Sequence, residues 1–267
     1  MLFFGIINNV KKRGDNMPTY VAHTMMARDV HKKLNNEKVS LDYMLTYSLG
    51  GDLTNFSKVR YDSHHKKREE FFQNMVTYIK ENNLQNDPEA LGVLYGHICH
   101  YALDDTAHPL VRKVTKACKP GKNNHGLIEY YYDTYLVKKK YNIPINKYDN
   151  KVLFKGKTNK KVSKLLDYAY EKTYGFKHIS RYYKLNIWIY KKIKYAYMIS
   201  GTKIIYKVLK LNKFLENNKD LDLLNQNHKI EYKNIKGEPE RESFDKLYEQ
   251  SIKKALKDIK EINKLLK

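Results

Sequence analysis

The sequence predicts an all-α protein, and two observations lead to this prediction. Apolar side chains recur at intervals of three and four residues along most of the chain, which is the period of one helix face. Strict alternation of apolar and polar residues, which is the period of a half-buried strand, does not persist over any stretch. The expected architecture is therefore a multi-helix domain.

Each predicted helix is a periodic stretch, and several have a start or stop signal. Ser40 and the pair Asp87-Pro88 precede such stretches, as helix-starting residues do, while Gly50-Gly51 ends one. The predicted helices span residues 22–35, 40–49, 67–82, 88–105, 125–140, 161–174, 185–213 and 241–266. Residues 51–63 and 141–157 are predicted to be loops, and residues 216–240 polar, irregular chain.

A chain of 267 residues is long enough to bury one large core. The mean hydropathy of −0.73 and the lack of a long uncharged apolar run argue against a membrane span. Two cysteines, Cys99 and Cys118, do not make a disulfide framework. The sequence also contains neither a P-loop nor a GxGxxG motif.

The predicted organisation has three parts. Residues 1–16 are interpreted as a non-native leader or a disordered extension; a leader is favoured because codons for residues 12–16 can resemble a ribosome-binding site before Met17. Their short apolar run, followed rather than preceded by basic residues, is a poor signal peptide, so the expected location is cytoplasmic. Residues 17–213 are the expected catalytic domain, and residues 214–267 a polar loop and a C-terminal helix packed on it.

Histidines and carboxylates are concentrated between residues 23 and 129. His100 and Asp104 stand four residues apart on a predicted helix, as do His125 and Glu129, so each pair projects from one helix face. The stripe of residues 97, 100, 104 and 108 adds two more histidines. The spacing of four is one that zinc sites on helices use. A site for more than one divalent metal ion, and hence a metallohydrolase, is the leading interpretation.

The ordered set of these residues resembles the zinc-dependent phospholipase C family of bacteria, which shares its helical fold with the single-strand-specific zinc nucleases. The set is His23, Asp52, His64, His100, Asp104, His108-Pro109, His125 and Glu129. The resemblance covers about residues 17–135, and the helical remainder is compatible with it.

The resemblance implies a site of two to three Zn²⁺ ions. One ion would be held by Asp52, His64, His100 and Asp104, a second by His108, His125 and Glu129, and a third by His23 together with Asp104. Asp52 would also be the general base. The implied reaction is hydrolysis of a phospholipid to diacylglycerol and a phosphorylated headgroup. His65 is the alternative to His64. The resemblance assigns no role to His97, for which we expect a supporting position behind the ligands.

The C-terminal half is strongly basic, and this leaves the substrate open. The net charge is +22; residues 1–135 hold 18 Lys and Arg against 15 Asp and Glu, whereas residues 136–267 hold 33 against 14. Such a field attracts polyanions. Residues 184–195 mix lysines with aromatic and aliphatic side chains, which favours packing of the apolar stripe on the metal-binding helices with the lysines in solvent. The alternatives for this segment are peripheral contact with a lipid surface and, as second choice, nucleic acid. A single-strand nuclease and a metal-binding module without turnover remain the alternative functions.

Overall fold

A computed structural model describes residues 20–121, 124–148, 154–199 and 210–267, and most of them are helical. The helices are α1 (Val21–Leu34), α2 (Leu41–Tyr47), α3 (Arg60–His65), α4 (Arg68–Glu81), α5 (Pro88–Ala117), α6 (Asn124–Tyr141), α7 (Lys160–Tyr174), α8 (Ser180–Ile199) and α9 (Phe244–Leu266). Residues 210–217 are also helical, and 3₁₀ turns span Gly50–Thr54 and Ile145–Lys147. The prediction of an all-α protein is confirmed.

Helix α5 is the longest element of the described chain and supplies the centre of the fold. The Asp87 carboxylate caps its first turn by accepting hydrogen bonds from the amides of Glu89 and Ala90 at 3.1 and 2.9 Å. The helix continues through Pro109 to Ala117, so the prediction that it ends near residue 105 is wrong. The residues after Asp105 that keep it helical are buried apolar ones: Ala107, Leu110, Val111 and Val114. Their packing outweighs the hydrogen bond that proline cannot make.

Helices α2 and α5 approach each other closely because α5 carries glycine at two successive contact positions. A Cβ atom at Gly92 would lie 2.8 Å from the Ser40 carbonyl oxygen, and one at Gly96 would lie 2.8 Å from the Met44 carbonyl oxygen. His100 is the next residue on this stripe of α5. The close packing therefore brings the chain that follows α2 directly against His100.

Two local predictions differ from the structure. The predicted loop of residues 51–63 contains the 3₁₀ turn and the start of α3, since a short polar segment shows too little periodicity to reveal one helical turn. The predicted irregular segment contains a short antiparallel hairpin, β1 (Tyr232–Lys233) and β2 (Pro239–Glu240), in which Tyr232 pairs with Glu240.

The C-terminal helix packs on the rest of the fold along its length. The Phe244 ring lies 4.0 Å from the Tyr132 ring of α6, and near the other end Asn263 accepts a hydrogen bond of 2.5 Å from the Tyr95 hydroxyl of α5. The proposed leader, residues 1–16, lies outside the described residues, as does the part of the predicted helix 185–213 that covers residues 200–209.

Within the described ranges, no helix has both the length and the apolar character that crossing a bilayer would require.

Candidate metal centre

The structure brings the eight predicted site residues together from five elements. They are His23 of α1, Asp52 of the 3₁₀ turn, His64 of α3, His100, Asp104 and His108 of α5, and His125 and Glu129 of α6. Helix α5 contributes three of them at intervals of four residues, so it forms the backbone of the site. The other elements meet it from separate directions.

The first group is formed by His23, His100 and Asp104. Their ligand atoms lie within 4.8 Å of one another. His23 Nε2 is 3.5 Å from Asp104 Oδ1, His100 Nε2 is 3.3 Å from Asp104 Oδ2, and the two imidazole rings are 4.8 Å apart. One carboxylate therefore faces two imidazoles, which is a donor set that divalent metal ions accept.

The second group is formed by His108, His125 and Glu129, again within 4.8 Å. Glu129 Oε1 lies 3.4 Å from His108 Nε2 and 3.0 Å from His125 Nε2. The other nitrogen of His108, Nδ1, lies 3.7 Å from Asp104 Oδ1, so His108 links the two groups. Burial opposes the charge on Glu129, but its hydrogen bonds with the two histidines lower its pKa to about 2.

Asp52 and His64 form a pair beside the first group. His64 Nε2 lies 3.2 Å from Asp52 Oδ1, its Nδ1 lies 2.8 Å from the Arg60 carbonyl oxygen, and its ring is 5.7 Å from that of His100. His65 is exposed instead and packs against the Tyr61 ring at 4.7 Å. Of the two adjacent histidines, His64 is the one that faces the site.

Buried imidazole nitrogens without partners distinguish this cluster from an ordinary core. His100 is 1% exposed, and neither of its ring nitrogens makes a hydrogen bond to any described residue; the same holds for Nδ1 of His23. Burial, and then the neighbouring histidines, hold the pKa of His100 well below its usual value, so its imidazole is neutral. A neutral imidazole offers the lone pair that a metal ion requires.

The spacing of the donor atoms also fits metal binding. Four ligands placed tetrahedrally at Zn–N and Zn–O distances of about 2.0–2.2 Å lie roughly 3.3 Å from one another. The contacts of Asp104 with His23 and His100, and of Glu129 with His108, measure 3.3–3.5 Å. The residues present therefore fit two ion-binding groups that share the Asp104–His108 contact.

No protein-family model, curated protein or solved structure gives a significant match to this chain.

The geometric grouping differs from the one that the resemblance implies. His100 and Asp104 form a mutually close set with His23, whereas the resemblance pairs them with Asp52 and His64. Since His64 lies edge-on to His100, Asp52 and His64 border the first group rather than forming a separate cluster. The set of His108, His125 and Glu129 is the same in both descriptions.

Two adjacent glycines let the histidine rings approach the backbone. A Cβ atom at Gly50 would lie 2.3 Å from Cδ2 of His100, and one at Gly51 would lie 2.7 Å from Cε1 of His64. Any side chain at either position would displace a ring. From the sequence, the pair is expected to end a helix and to present Asp52 into a cleft; the close approach of the two histidine rings is an additional role.

Asp133 supports the site from the same face of α6 that carries Glu129. The residue is 2% exposed, and its carboxylate accepts hydrogen bonds from the amides of Val21 and Ala22 at 3.2 and 2.8 Å. It thereby satisfies amides at the start of α1 and fixes the turn that carries His23. The signal was its place four residues after Glu129, on the same face of α6.

His97 does not join the cluster, despite lying on the predicted stripe. Its Nδ1 lies 2.8 Å from the Val93 carbonyl oxygen and its Nε2 2.8 Å from the Tyr183 hydroxyl. The Tyr183 hydroxyl also reaches the Gly50 carbonyl oxygen at 3.2 Å. His97 thus supports the turn before Asp52 through Tyr183, which agrees in kind with the supporting role expected for it.

A small cavity opens beside the two groups, with a volume accessible to water of about 30 Å³. His23, Asp104, His108 and Glu129 form its polar side. The rest of the lining is apolar or aromatic: Ala22, Leu103, Ala107, Val111, Tyr132 and Phe244. Because Phe244 belongs to α9, the C-terminal helix forms part of the wall of the site.

Proposed function

We propose that the protein is a zinc-dependent phosphodiester hydrolase of the phospholipase C type, acting on phospholipid to give diacylglycerol and a phosphorylated headgroup. The observation that carries the proposal is the buried imidazole of His100, whose nitrogens make no hydrogen bond to a described residue and which faces the Asp104 carboxylate together with His23. The fold that the proposal implies is that of the zinc phospholipases C and single-strand-specific zinc nucleases. Bound zinc would polarise the phosphoryl group and activate water.

Asp52 is the residue that we assign as general base. It lies at the edge of the first group, with its side chain 13% exposed, so water can reach it. His64 Nε2 holds one carboxylate oxygen, Oδ1, and thereby fixes the orientation of the other. We assign the second oxygen, Oδ2, to take the proton from the attacking water. The presence of this base supports an enzyme over a metal-binding module without turnover.

The cavity supports a lipid over a nucleic acid as substrate. Apart from the ligands, its lining consists of aliphatic and aromatic side chains from α1, α5, α6 and α9. Among the described residues, this lining offers no cation for the neighbouring phosphates of a sugar-phosphate chain, which a nucleic-acid site requires.

A surface of exposed apolar side chains supports peripheral contact with a membrane. Phe56 is 49% exposed, Trp188 45% and Leu185 41%. Asn186 joins their two segments, since its side-chain amide donates hydrogen bonds to the Leu53 and Asn55 carbonyl oxygens. Exposed lysines lie beside these side chains in sequence, and such a mixture of apolar and cationic groups suits a lipid-facing surface.

The second candidate function is a single-strand nuclease on the same scaffold. The excess of basic side chains in residues 136–267 is the observation that favours it. The metal centre would read the phosphodiester in either substrate, so the reaction itself has to distinguish them.

A phosphorus NMR time course tests the proposal. Zinc-loaded protein is incubated with vesicles of phosphatidylcholine, phosphatidylethanolamine and phosphatidylglycerol, and separately with single-stranded DNA; a chelator-treated sample is the control. The proposal predicts zinc-dependent release of phosphorylated headgroup. Nucleotide release would establish the nuclease instead, and zinc-bound protein that releases neither product would contradict both functions.

A further inference from the structure

The side chain of Tyr190 on α8 carries a buried hydroxyl that the fold does not use. The residue is 5% exposed, and its hydroxyl has no hydrogen-bond partner among the described residues. Leaving a buried hydroxyl unpaired costs about 1–3 kcal/mol. Such a group therefore calls for a partner that binds later, in the way that the unpaired nitrogens of His100 do.

Helix α8 presents this hydroxyl on the face that packs against the Asp52 turn. Tyr183, Asn186 and Tyr190 are spaced at i, i+3 and i+7, so they share one face of the helix. Tyr183 donates to the Gly50 carbonyl oxygen at 3.2 Å, and Asn186 donates to the Leu53 carbonyl oxygen at 3.0 Å. Tyr183 and Asn186 thus bind the turn on both sides of Asp52, and Tyr190 lies one helical turn further along the same face of α8.

Aromatic neighbours fix the position of the Tyr190 ring. It stacks on Phe154 at 5.7 Å with an interplanar angle of 14°, and it meets the edge of Tyr20 at 6.1 Å. Tyr20 directly precedes the helix that carries His23. The Tyr190 ring is therefore held between Phe154 and Tyr20, and it cannot turn its hydroxyl to solvent without breaking these contacts.

Two carboxylates of the metal centre act electrostatically on this hydroxyl. Burial raises the pKa of Tyr190, and so do the carboxylates of Asp52 and Glu129, while Arg60 acts in the opposite direction. The hydroxyl therefore lies within electrostatic reach of both sides of the site and stays protonated at neutral pH. Both carboxylates already face histidines, at 3.2 Å for Asp52 and 3.0 Å for Glu129.

We propose that Tyr190 binds the substrate by donating a hydrogen bond to a phosphoryl oxygen at the metal centre. This inference rests on the proposed function, because it takes the ligand of the site to be a phosphate group. A phosphoryl oxygen is an acceptor, and the hydroxyl is a donor with no other described partner, so the two are complementary. In the transition state the oxygen gains negative charge, and the same hydrogen bond becomes stronger.

The test compares the unmodified protein with Tyr190→Phe, using inorganic phosphate as the probe. Zinc content is measured by elemental analysis, phosphate affinity by calorimetry of the zinc-loaded protein, and Tm on the zinc-free protein. We expect Tyr190→Phe to keep its zinc and to weaken phosphate binding about tenfold, as the loss of one hydrogen bond to a charged group does. Its zinc-free Tm should equal or exceed that of the unmodified protein, because the substitution removes a buried hydroxyl that has no partner.

Tyr95→Phe is the matched control. Tyr95 is also a buried tyrosine, but its hydroxyl has a structural partner in Asn263. This variant should lose stability and keep its phosphate affinity.

The outcomes separate the inference from the proposed function. If the unmodified protein shows no zinc-dependent phosphate binding, both are overturned. If it binds phosphate and Tyr190→Phe binds it equally well, only the inference on Tyr190 is overturned. A lower zinc-free Tm in Tyr190→Phe would also overturn it, since the hydroxyl would then have a structural partner.

Discussion

Two histidines three residues apart on α5, His97 and His100, have opposite surroundings although both are buried. His97 has a hydrogen-bond partner at each ring nitrogen, the Val93 carbonyl oxygen and the Tyr183 hydroxyl, both at 2.8 Å. His100 has none among the described residues, and its Nε2 faces the Asp104 carboxylate at 3.3 Å. Burial alone therefore does not distinguish a structural histidine from a metal ligand, whereas the state of the ring nitrogens does.

The same contrast separates two regions around α5. One region is an aromatic core in which Tyr47, Phe71 and Tyr183 pack around the His97 ring at 5.6–6.0 Å. The other is a cluster in which imidazoles and carboxylates face one another. The first has its polar groups satisfied within the fold, and the second brings together donor atoms that could hold a metal ion.

The largest effect is expected from Asp104→Asn. Asp104 faces His23, His100 and His108, so the substitution removes the carboxylate common to both groups. We expect metal and activity to be lost together, with activity falling by more than about 10²-fold. Even substitution of a residue that only hydrogen-bonds to a metal ligand lowers metal affinity or activity by about 10–100-fold. Elemental analysis and an activity assay on the same sample measure both.

Asp105→Asn is the matched control for that variant. Asp105 is the next residue on α5, but it pairs with Arg68 and Lys254 instead of the histidines. It should keep its metal while losing stability. Metal retained in Asp104→Asn, or lost equally in Asp105→Asn, would remove the distinction between the two faces.

A smaller and more selective effect is expected from Asp52→Asn. Asp52 lies beside the first group and not in the set of His108, His125 and Glu129, so the metal held by that set should remain. Loss of a general base lowers kcat by about 10²–10⁴-fold. Parallel measurements of kcat and metal content check this, and an unchanged kcat would contradict the role of Asp52.

A third prediction concerns pH and the structural histidine. Burial lowers the pKa of His97 to about 4, against about 6.5 in an unfolded chain. Because the folded pKa is the lower one, its contribution to stability is complete above pH 6.5 and is lost as the pH falls toward 4. That contribution is about 3 kcal/mol.

The measurement is the free energy of unfolding of zinc-free protein at pH 7 and pH 4, for the unmodified chain and for His97→Leu. From pH 7 to pH 4, the free energy of unfolding of the unmodified chain should fall by about 3 kcal/mol more than that of His97→Leu. A difference that stays constant with pH would show that His97 is charged or accessible in the folded protein.

Much of the fold and of the site was predictable from the sequence, for definite reasons. Helix α1 has a long apolar stripe, and the start of α5 has the cap signal Asp87-Pro88, so both were predicted within one or two residues. His100, Asp104, His125 and Glu129 were identifiable because a spacing of four puts each pair on one helix face.

What the sequence did not predict depends on contacts between elements. The grouping of His23 with His100 follows from how α1 crosses α5, and no local pattern contains that angle. The buried position of Asp133 follows from the placement of α1 against α6. The spacing of Gly92, Gly96 and His100 on one face of α5 is visible in the sequence. Which helix packs against this face, namely α2, is visible only in the structure.

The most direct test of the central claim is the zinc-dependent shift in Tm of two variants, His100→Leu and His97→Leu. We predict that His100→Leu keeps its zinc-free stability and loses most of the shift, since a site at 100 times its Kd adds about 2.7 kcal/mol. We predict that His97→Leu loses about 1–3 kcal/mol without zinc and keeps the shift, since it removes two buried hydrogen bonds. Equal shifts in both variants would contradict the assignment of His100 as a metal ligand.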